Sequence, residues 1–553
     1  MVAQVPANFE SDSGPDYDVS LAEQCEQREL EMSFKEALSN DKRLIWSSVG
    51  FSGTIIMEGY GLAMITYLFA STEFQKKFGE SYINEKGETA YLLPYVWQTL
   101  FPIMAQVGSI VGILIASPMH RFLGYKKAVL LMLACLAGLT ALPFASTSGE
   151  ILMAGFFLEG IPWGTFQVLS PGYSSEVASL QLRPILTTWN NLCWVIGQLL
   201  AAAFIKGFDE ISGAWSYRLP FALQWVFIII LLIAVSFAPE SPYWHLENGR
   251  VPEARAAAKK LVRKGSPERT EEKLALMRHT IHQESRADRE SIEGSAWKRY
   301  TALLQGSERR RTEIACVTWL IQAMCGSCLI GWAPQFMEQA GLTSSDAYSI
   351  NIAIPFAGLL GTIASWWLML KWGRRKIYFW GCLFMGIVLV AEGFSSFVQP
   401  DNTRGFVAGG ILILFTAIYD LTIGPVCYCI VSEIPSIRYR TPTLSAARGT
   451  YLLFNLINYF INPLMFSKTQ WNWGPKSGYL YAAICLLGAA YTWLRIPETD
   501  GVSARELDIL FQHKIKARDF SAPLALQLDG QEQGNIRQVG SHSSIVVDEP
   551  KKA

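Results

Sequence analysis

Long apolar runs alternate with short polar connections along almost the whole chain. A helix crossing a bilayer core needs roughly 20 predominantly apolar residues. Twelve runs fit that length: 44–70, 93–117, 127–146, 150–170, 185–206, 218–238, 312–336, 348–370, 376–396, 405–431, 443–466 and 476–496. The pattern predicts an all-α membrane protein of twelve transmembrane helices. The spans fall into an N-terminal six-helix bundle over 44–238 and a C-terminal one over 312–496, divided by a polar stretch at 239–311. That stretch contains VPEARAAAKKLVRK and WKRYTALL, which read as short amphipathic helices rather than a separate domain. Residues 1–43 read as a polar N-terminal tail and 497–553 as a polar C-terminal tail, disordered after about 520.

Composition agrees with this reading. The 553 residues are 50% hydrophobic and only 17% charged, where soluble proteins average about 25%. The formal net charge is zero, which gives no electrostatic reason to expect a nucleic-acid partner. Lys and Arg collect in the connections after even-numbered spans, as in HRFLGYKK, the central stretch, KWGRRK and IRYR. The connections after odd-numbered spans carry few basic residues, as in ASTSGE and GLTSSD, or mixed charge, as in KKFGESYINEKGE. By the positive-inside rule the basic side, with both termini, faces the cytoplasm. Most of the ten cysteines lie in apolar runs, a poor setting for a disulfide framework. Cys325 and Cys328 form a CxxC with no second pair, so they read as small packing residues, and no metal or cofactor is expected.

One element occurs in both halves. PGYSSEVASLQLR places Glu176 seven residues before Arg183, and GPVCYCIVSEIPSIRYR places Glu433 seven residues before Arg440. Matching ion-pair elements in two apolar halves indicate a duplicated transporter. PESP at 239–242 and PETDG at 497–501 follow spans six and twelve. Further motifs are IMEGYG (56–61), GIPWGTFQVLS (160–170), NLCWVIGQ (191–198), FMEQAGL (336–342), DLTIGPVCY (420–428), WNWGPKSGY (471–479) and ELDILFQHKIKARDF (506–520). In order and spacing these resemble the sugar porter family of the major facilitator superfamily, and within it the fungal α-glucoside (maltose-type) permeases. The likeness runs from about 45 to 520.

The resemblance implies alternating access, with two six-helix bundles rocking about a midplane site in the plasma membrane. It assigns Glu176, Arg183, Glu240, Arg374, Arg375, Glu433, Arg440 and Glu498 to a cytoplasmic gate. It points to Asn191, Gln322, Ser327, Asp420, Tyr428 and Asn455 for the sugar. Amides and carboxylates orient hydroxyls, and an aromatic face packs on the C–H side of a pyranose. On physics alone Asp420 stands out, because an acid deep in an apolar span is costly. The chain also departs from the pattern. Tyr125 stands in the first basic place of HRFLGYKK, and Leu370 in the aspartate place before Gly373, which implies a looser gate or one less dependent on ion pairs. Proton-coupled members carry acids in EGYD and GEIVG, where this chain has Gly61 and Ser109. Phe156 replaces the span-four arginine, while Glu58, Glu159 and Arg448 remain as proton-coupling candidates. Two cargo readings stay open: an α-glucoside such as maltose, with or without protons, or another small metabolite carried or exported. A non-transporting sugar sensor fits less well, since the tail after Phe520 is short and holds no repeated motif. An enzyme is not expected, and no GxxxxGK[ST] loop is present to bind ATP.

Overall fold

A computed structural model describes residues 19–32, 34–83, 89–179, 182–262, 267–291, 301–339, 341–369, 371–436, 439–466, 470–500, 502, 504–521, 523–525 and 527–528. It divides into two units. The first comprises Met1–Glu293 with Thr343–Pro355, and the second Gly294–Leu342 with Phe356–Ala553.

The first unit begins with α1 (Val19–Glu31) and α2 (Phe34–Asn40). Then come the long α3 (Lys42–Tyr67) and the short α4 (Thr72–Phe78). An antiparallel hairpin of β1 (Glu80–Ile83) and β2 (Thr89–Leu92) follows, with Glu80 opposite Leu92. Next are α5 (Tyr95–Leu139), α6 (Ala141–Ala145), α7 (Gly149–Val177), α8 (Arg183–Asp209) and α9 (Trp215–Phe237). The central stretch folds as α10 (Pro242–Glu247), α11 (Val251–Leu261) and α12 (Pro267–Ser291).

The second unit starts with three pieces of one span: α13 (Gly306–Met324), α14 (Cys328–Gly331) and α15 (Ala333–Gln339). After these come α16 (Ser344–Met369), which begins in the first unit and ends in the second, and α17 (Arg374–Ser395). The tenth span is split into α18 (Asp401–Leu421) and α19 (Ile423–Glu433). The last helices are α20 (Arg440–Phe466), α21 (Ser477–Arg495) and α22 (Ala504–Gln512).

Among the described residues, nine helical segments are long and apolar enough to cross a membrane by length and composition alone. One of them, Tyr95–Ala145, is two spans folded at Gly124, whose φ of +81° no β-carbon tolerates easily. The remaining two spans are α7 and α20, 29 and 27 residues long, whose apolar runs are interrupted by Glu159 and by Asn455, Asn458 and Asn462. The tally is therefore twelve spans. Their outer faces expose Ile229, Ile230, Ile233 and Phe237 on α9 and Phe384 and Ile387 on α17. Apolar surface of that extent is the mark of a lipid-facing protein.

Small residues let helices touch. A β-carbon on Gly112 of α5 would lie 2.1 Å from the Ile161 carbonyl oxygen, and one on Gly164 of α7 would lie 1.9 Å from that of Ser109. Such contacts tie α5 to α7 through dispersion rather than water exclusion, as expected in lipid.

At the basic end of the first unit, α10, α11 and α12 share a small core of Leu246, Ala254, Ala258 and Leu274. VPEARAAAKKL forms the 11-residue α11, and the 25-residue α12 lies between the two segments that were read as helices, where none was expected. Most of WKRYTALL lies outside the described residues. Within the polar N-terminal segment, α1 buries Ala22 and Cys25 and packs on α12, where Arg28 donates to both oxygens of Glu272 at 2.8 and 2.7 Å. In the C-terminal segment, α22 and the turn after it bury Leu507, Leu510, Phe511 and Phe520, and Asp508 accepts from Arg311 at 2.6 Å. Disorder was expected after about 520; 523–525 and 527–528 are helical, and residues from 529 onward lie outside the described residues.

Candidate functional site

At the basic end of each unit a similar arrangement of partners recurs around two glutamates. In the first unit the chain turns at Gly124, and the second arm of α5 starts with its backbone N–H groups unsatisfied by the helix. Glu240 fills that position: its Oε1 accepts from the Tyr125 N–H at 2.9 Å, and its Oε2 from the Lys126 N–H at 3.1 Å. A carboxylate at a helix N-terminus is favoured by the helix dipole. Burial holds the Glu240 carboxyl above the usual carboxylate range, against the pull of backbone N–H groups from Ser241, Lys126 and Tyr125. The Tyr125 hydroxyl then donates to Glu176 Oε1 at 2.5 Å, and the Ser241 hydroxyl to Glu176 Oε2 at 2.6 Å. The side chain of Arg183 lies outside the described residues.

The second unit repeats the plan. Gly373 caps α17, and the Arg375 N–H donates to Glu498 Oε1 at 3.5 Å. A β-carbon at either Gly124 or Gly373 would collide with the carboxylate of Glu240 or Glu498 respectively. Thr499 Oγ1 donates to Glu433 Oε2 at 2.5 Å, as Ser241 does to Glu176. Arg374 Nη2 reaches Glu433 Oε1 at 3.5 Å and Arg374 also pairs with Asp500. Arg374 thus stands where Tyr125 stands in the first unit. Arg375 turns away, donating to the Trp493 carbonyl at 2.8 Å. Leu370 and the Arg440 side chain lie outside the described residues.

The polar residues of the second unit gather at two helix breaks. At Cys325–Ser327 the seventh span interrupts, with Gly326 at φ +93°. The carbonyls freed there are taken up by neighbours. Asn458 Nδ2 donates to the Ala323 carbonyl at 2.8 Å, while Ser327 Oγ and Cys325 Sγ donate to that of Gln322 at 3.1 and 3.2 Å. The second break falls at Thr422, between α18 and α19. Gln322 Nε2 stitches the two together by donating to the Gly424 carbonyl at 3.1 Å. Asp420 is buried in the last turn of α18 beside Gly358 and Gly424, whose missing side chains leave room for its carboxylate. Tyr428 lies edge-on to Trp319, ring centroids 5.0 Å apart. Asn455 is half-buried on α20. Gln322, Ser327, Asp420 and Tyr428 are therefore neighbours of one stitched region, whereas Asn191 is buried in α8 of the first unit.

The proton-coupling candidates have three different settings. Glu58, 4% exposed on α3, accepts from Gln167 Nε2 at 2.5 Å. Glu159 is fully buried on α7, and neither of its oxygens has a hydrogen-bond partner among the described residues. Thr140 lies nearby, but its hydroxyl is donated to the Leu136 carbonyl at 2.8 Å. Arg448 lies against the faces of Trp319 and Tyr451, in the second unit. The places of the missing acids are occupied. The Trp163 indole fills the space at Gly61, where a β-carbon would come within 2.2 Å of Cζ2. Ser109 bonds its own helix at Ala105, and Phe156 packs on Phe101 and Phe221.

Sequence reasoning overlooked several of these residues. Asn458 and Asn462 follow Asn455 at helical spacing, a legible signal in NLINYFIN; Asn462 accepts from Tyr481 Oη at 2.6 Å. Glu392 on α17 is fully buried with both oxygens unpaired among the described residues, and its AEGF context in an apolar run was equally legible. Ser241 and Thr499 carry the signal of their PES and PET context, whereas Trp163 and Gln167 stand within GIPWGTFQVLS with nothing to mark which residues they meet.

Comparison with known proteins agrees with these observations. A family model described as sugar (and other) transporter matches residues 47–511. The maltose permease MAL31 of Saccharomyces cerevisiae is 33% identical over 507 residues, covering 91% of this chain and 81% of that protein. The general alpha-glucoside permease of the same yeast is 33% identical over 505 residues, covering 91% and 80%. In solved structures, the proton:xylose symporter XylE bound to 6-bromo-6-deoxy-D-glucose superposes with a TM-score of 0.67 at 20% identity, over 85% of this chain and all of that one. The partially occluded inward-open form of XylE from E. coli gives 0.66 at 19% identity over 84% of this chain. The chain is a multi-pass membrane protein with the major facilitator fold, and it belongs to the sugar transporter family.

Proposed function

We propose that this protein carries α-glucosides such as maltose across the fungal plasma membrane by alternating access, with proton symport. The observation that carries the cargo is the identity across 91% of the chain with yeast permeases named for maltose and α-glucosides. The stitched breaks of the second unit support it, since Gln322, Ser327, Asp420 and Tyr428 there combine amide, hydroxyl, carboxylate and aromatic groups suited to sugar hydroxyls and faces. Asn191 and Asn455 complete the proposed binding set. Basic loops and polar termini put the clasped end in the cytoplasm.

In this reading Glu240 and Glu498 fix the starts of two spans, and Glu176 and Glu433 lock them to their bundles. Arg374 and Arg375 belong to the same cytoplasmic gate, with Arg183 and Arg440 proposed beside them. Glu58 serves as the proton carrier, because an acid buried in a spanning helix with an amide donor is held ready to accept a proton. Glu159 and Arg448 complete the coupling set. A second reading, a facilitator or exporter of another metabolite, is favoured by one observation: Trp163 fills the space where coupled relatives keep an acid.

The test is uptake of labelled maltose by transporter-deficient yeast expressing the chain, with and without an inward proton gradient. Gradient-driven accumulation that is lost in Glu58→Gln, with exchange retained, supports symport. Equilibration without accumulation in the unaltered protein assigns it as a facilitator. No uptake from protein present at the plasma membrane refutes the α-glucoside cargo.

A further inference from the structure

Arg448 is the sole coupling candidate that carries positive charge, and its surroundings are aromatic on two sides. Its guanidinium carbon lies 4.5 Å from the ring centre of Tyr451, one turn along α20, and 4.9 Å from that of Trp319 on α13. Trp319 is itself fixed. It is 5% exposed and meets Tyr451 edge-on at 4.8 Å and Tyr428 edge-on at 5.0 Å. One residue before it, the Thr318 carbonyl accepts from the buried Tyr378 hydroxyl at 2.9 Å. Three helices, α13, α19 and α20, thus contribute to one aromatic frame, all within the second unit and one to two turns from the stitched break at Cys325.

A guanidinium is planar. Its attraction to ring quadrupoles is a contact of its face, whereas its five N–H donors lie in the plane and point outward. Trp319 and Tyr451 stand at 64° to each other, so they confine the guanidinium from two directions and limit where its donors point without using them. A lysine in the same place has no plane to set.

We propose that Trp319 and Tyr451 act as positioning residues for Arg448, bracing the guanidinium plane so that its in-plane donors meet the carboxylate or sugar oxygen that takes part in coupling. This rests on the coupling role assigned to Arg448 above. The brace supplies orientation; neither ring exchanges a proton or a bond. It also joins Tyr428 to the coupling arginine through Trp319, so that occupancy of the sugar site and the setting of Arg448 share one aromatic contact.

The experiment compares Arg448→Ala, Tyr451→Phe, Tyr451→Leu and Trp319→Phe in transporter-deficient yeast. Surface expression, the gradient-driven accumulation ratio of labelled maltose across external pH, and maltose exchange without a gradient are measured for each. Tyr451→Phe keeps a ring face and should accumulate as the unaltered protein does. Tyr451→Leu should lose about tenfold in accumulation and shift the pH profile, with exchange retained. Trp319→Phe should fall between the two. A packing defect alone would lower exchange and accumulation together and leave the pH profile in place, which would overturn the brace. Normal accumulation in Tyr451→Leu, alongside loss in Arg448→Ala, would also overturn it while leaving the coupling role intact. Normal accumulation in Arg448→Ala would refute the coupling role, and the brace with it. Tyr451 is half-buried, so its variants decide the matter even if Trp319→Phe fails to reach the surface.

Discussion

At the basic end of the first unit Glu176 takes its hydrogen bonds from a phenol and a serine. At the corresponding place in the second unit Glu433 takes them from a guanidinium and a threonine. The frames are alike: a glycine turn, a glutamate on the new helix's first N–H groups, and a hydroxyl from the next residue. What differs is the charge. Tyr125 replaces a fixed cation with a neutral donor that makes a short bond to a half-buried carboxylate, and Lys126, next in line, sends its ammonium to the Ser236 carbonyl instead. Arg374 holds two acids, Glu433 and Asp500. The comparison teaches that the position calls for a donor aimed at the glutamate, and that a cation is one way to supply it.

The largest effect is expected from Arg374→Ala. It leaves Glu433 and Asp500 without their described cation, and losing one partner of a partly buried pair costs on the order of 2 kcal/mol, roughly thirtyfold in transport turnover. Initial-rate uptake with matched surface expression measures it; unchanged turnover would show that the second clasp does not gate. Tyr125→Phe removes a single donor to a half-buried carboxylate, about 1.5 kcal/mol or tenfold. If Tyr125→Phe proved harmless while Arg374→Ala did not, the two clasps would not be equivalents. Ser241→Ala and Thr499→Ala sharpen the parallel, since each removes the matching hydroxyl; both should cost about 1 kcal/mol in stability. Thermal unfolding of the purified proteins that separated the two by much more than this would break the correspondence.

The smallest effect concerns pH. Burial raises the Glu240 carboxyl above its unfolded range, so the folded protein binds that proton more tightly than the unfolded chain does. The contribution is fully present below the ordinary carboxylate range and is lost as pH rises through the raised value. Glu240→Gln should flatten this fall of thermal stability between the ordinary carboxylate range and the raised value. A variant whose slope matched that of the unaltered protein would acquit Glu240 as its source.

Much of the molecule was legible beforehand. Apolar run length marked all twelve spans, and the paired Glu176 and Glu433 elements led to both clasps. The departure at Tyr125 was visible as a missing cation, but its hydroxyl bond to Glu176 was not, because a tyrosine in a basic place signals loss rather than replacement. The seventh and tenth spans read as continuous, since a break at Gly326 or Thr422 leaves hydropathy untouched. The helix α1 escaped notice because only Ala22, Cys25 and their neighbours mark its buried face in a polar segment.

Sequence alone determined the spans and the family, because hydropathy, helix length and motif order are read along neighbouring residues and need no partner. Only tertiary structure decided which groups meet. That Trp163 fills the space at Gly61, that Gln167 holds Glu58, and that Trp319 frames Arg448 depend on side chains from different helices sharing one volume. Close packing admits one occupant to such a space and fixes the direction of every donor around it, and neither property is written in the order of residues.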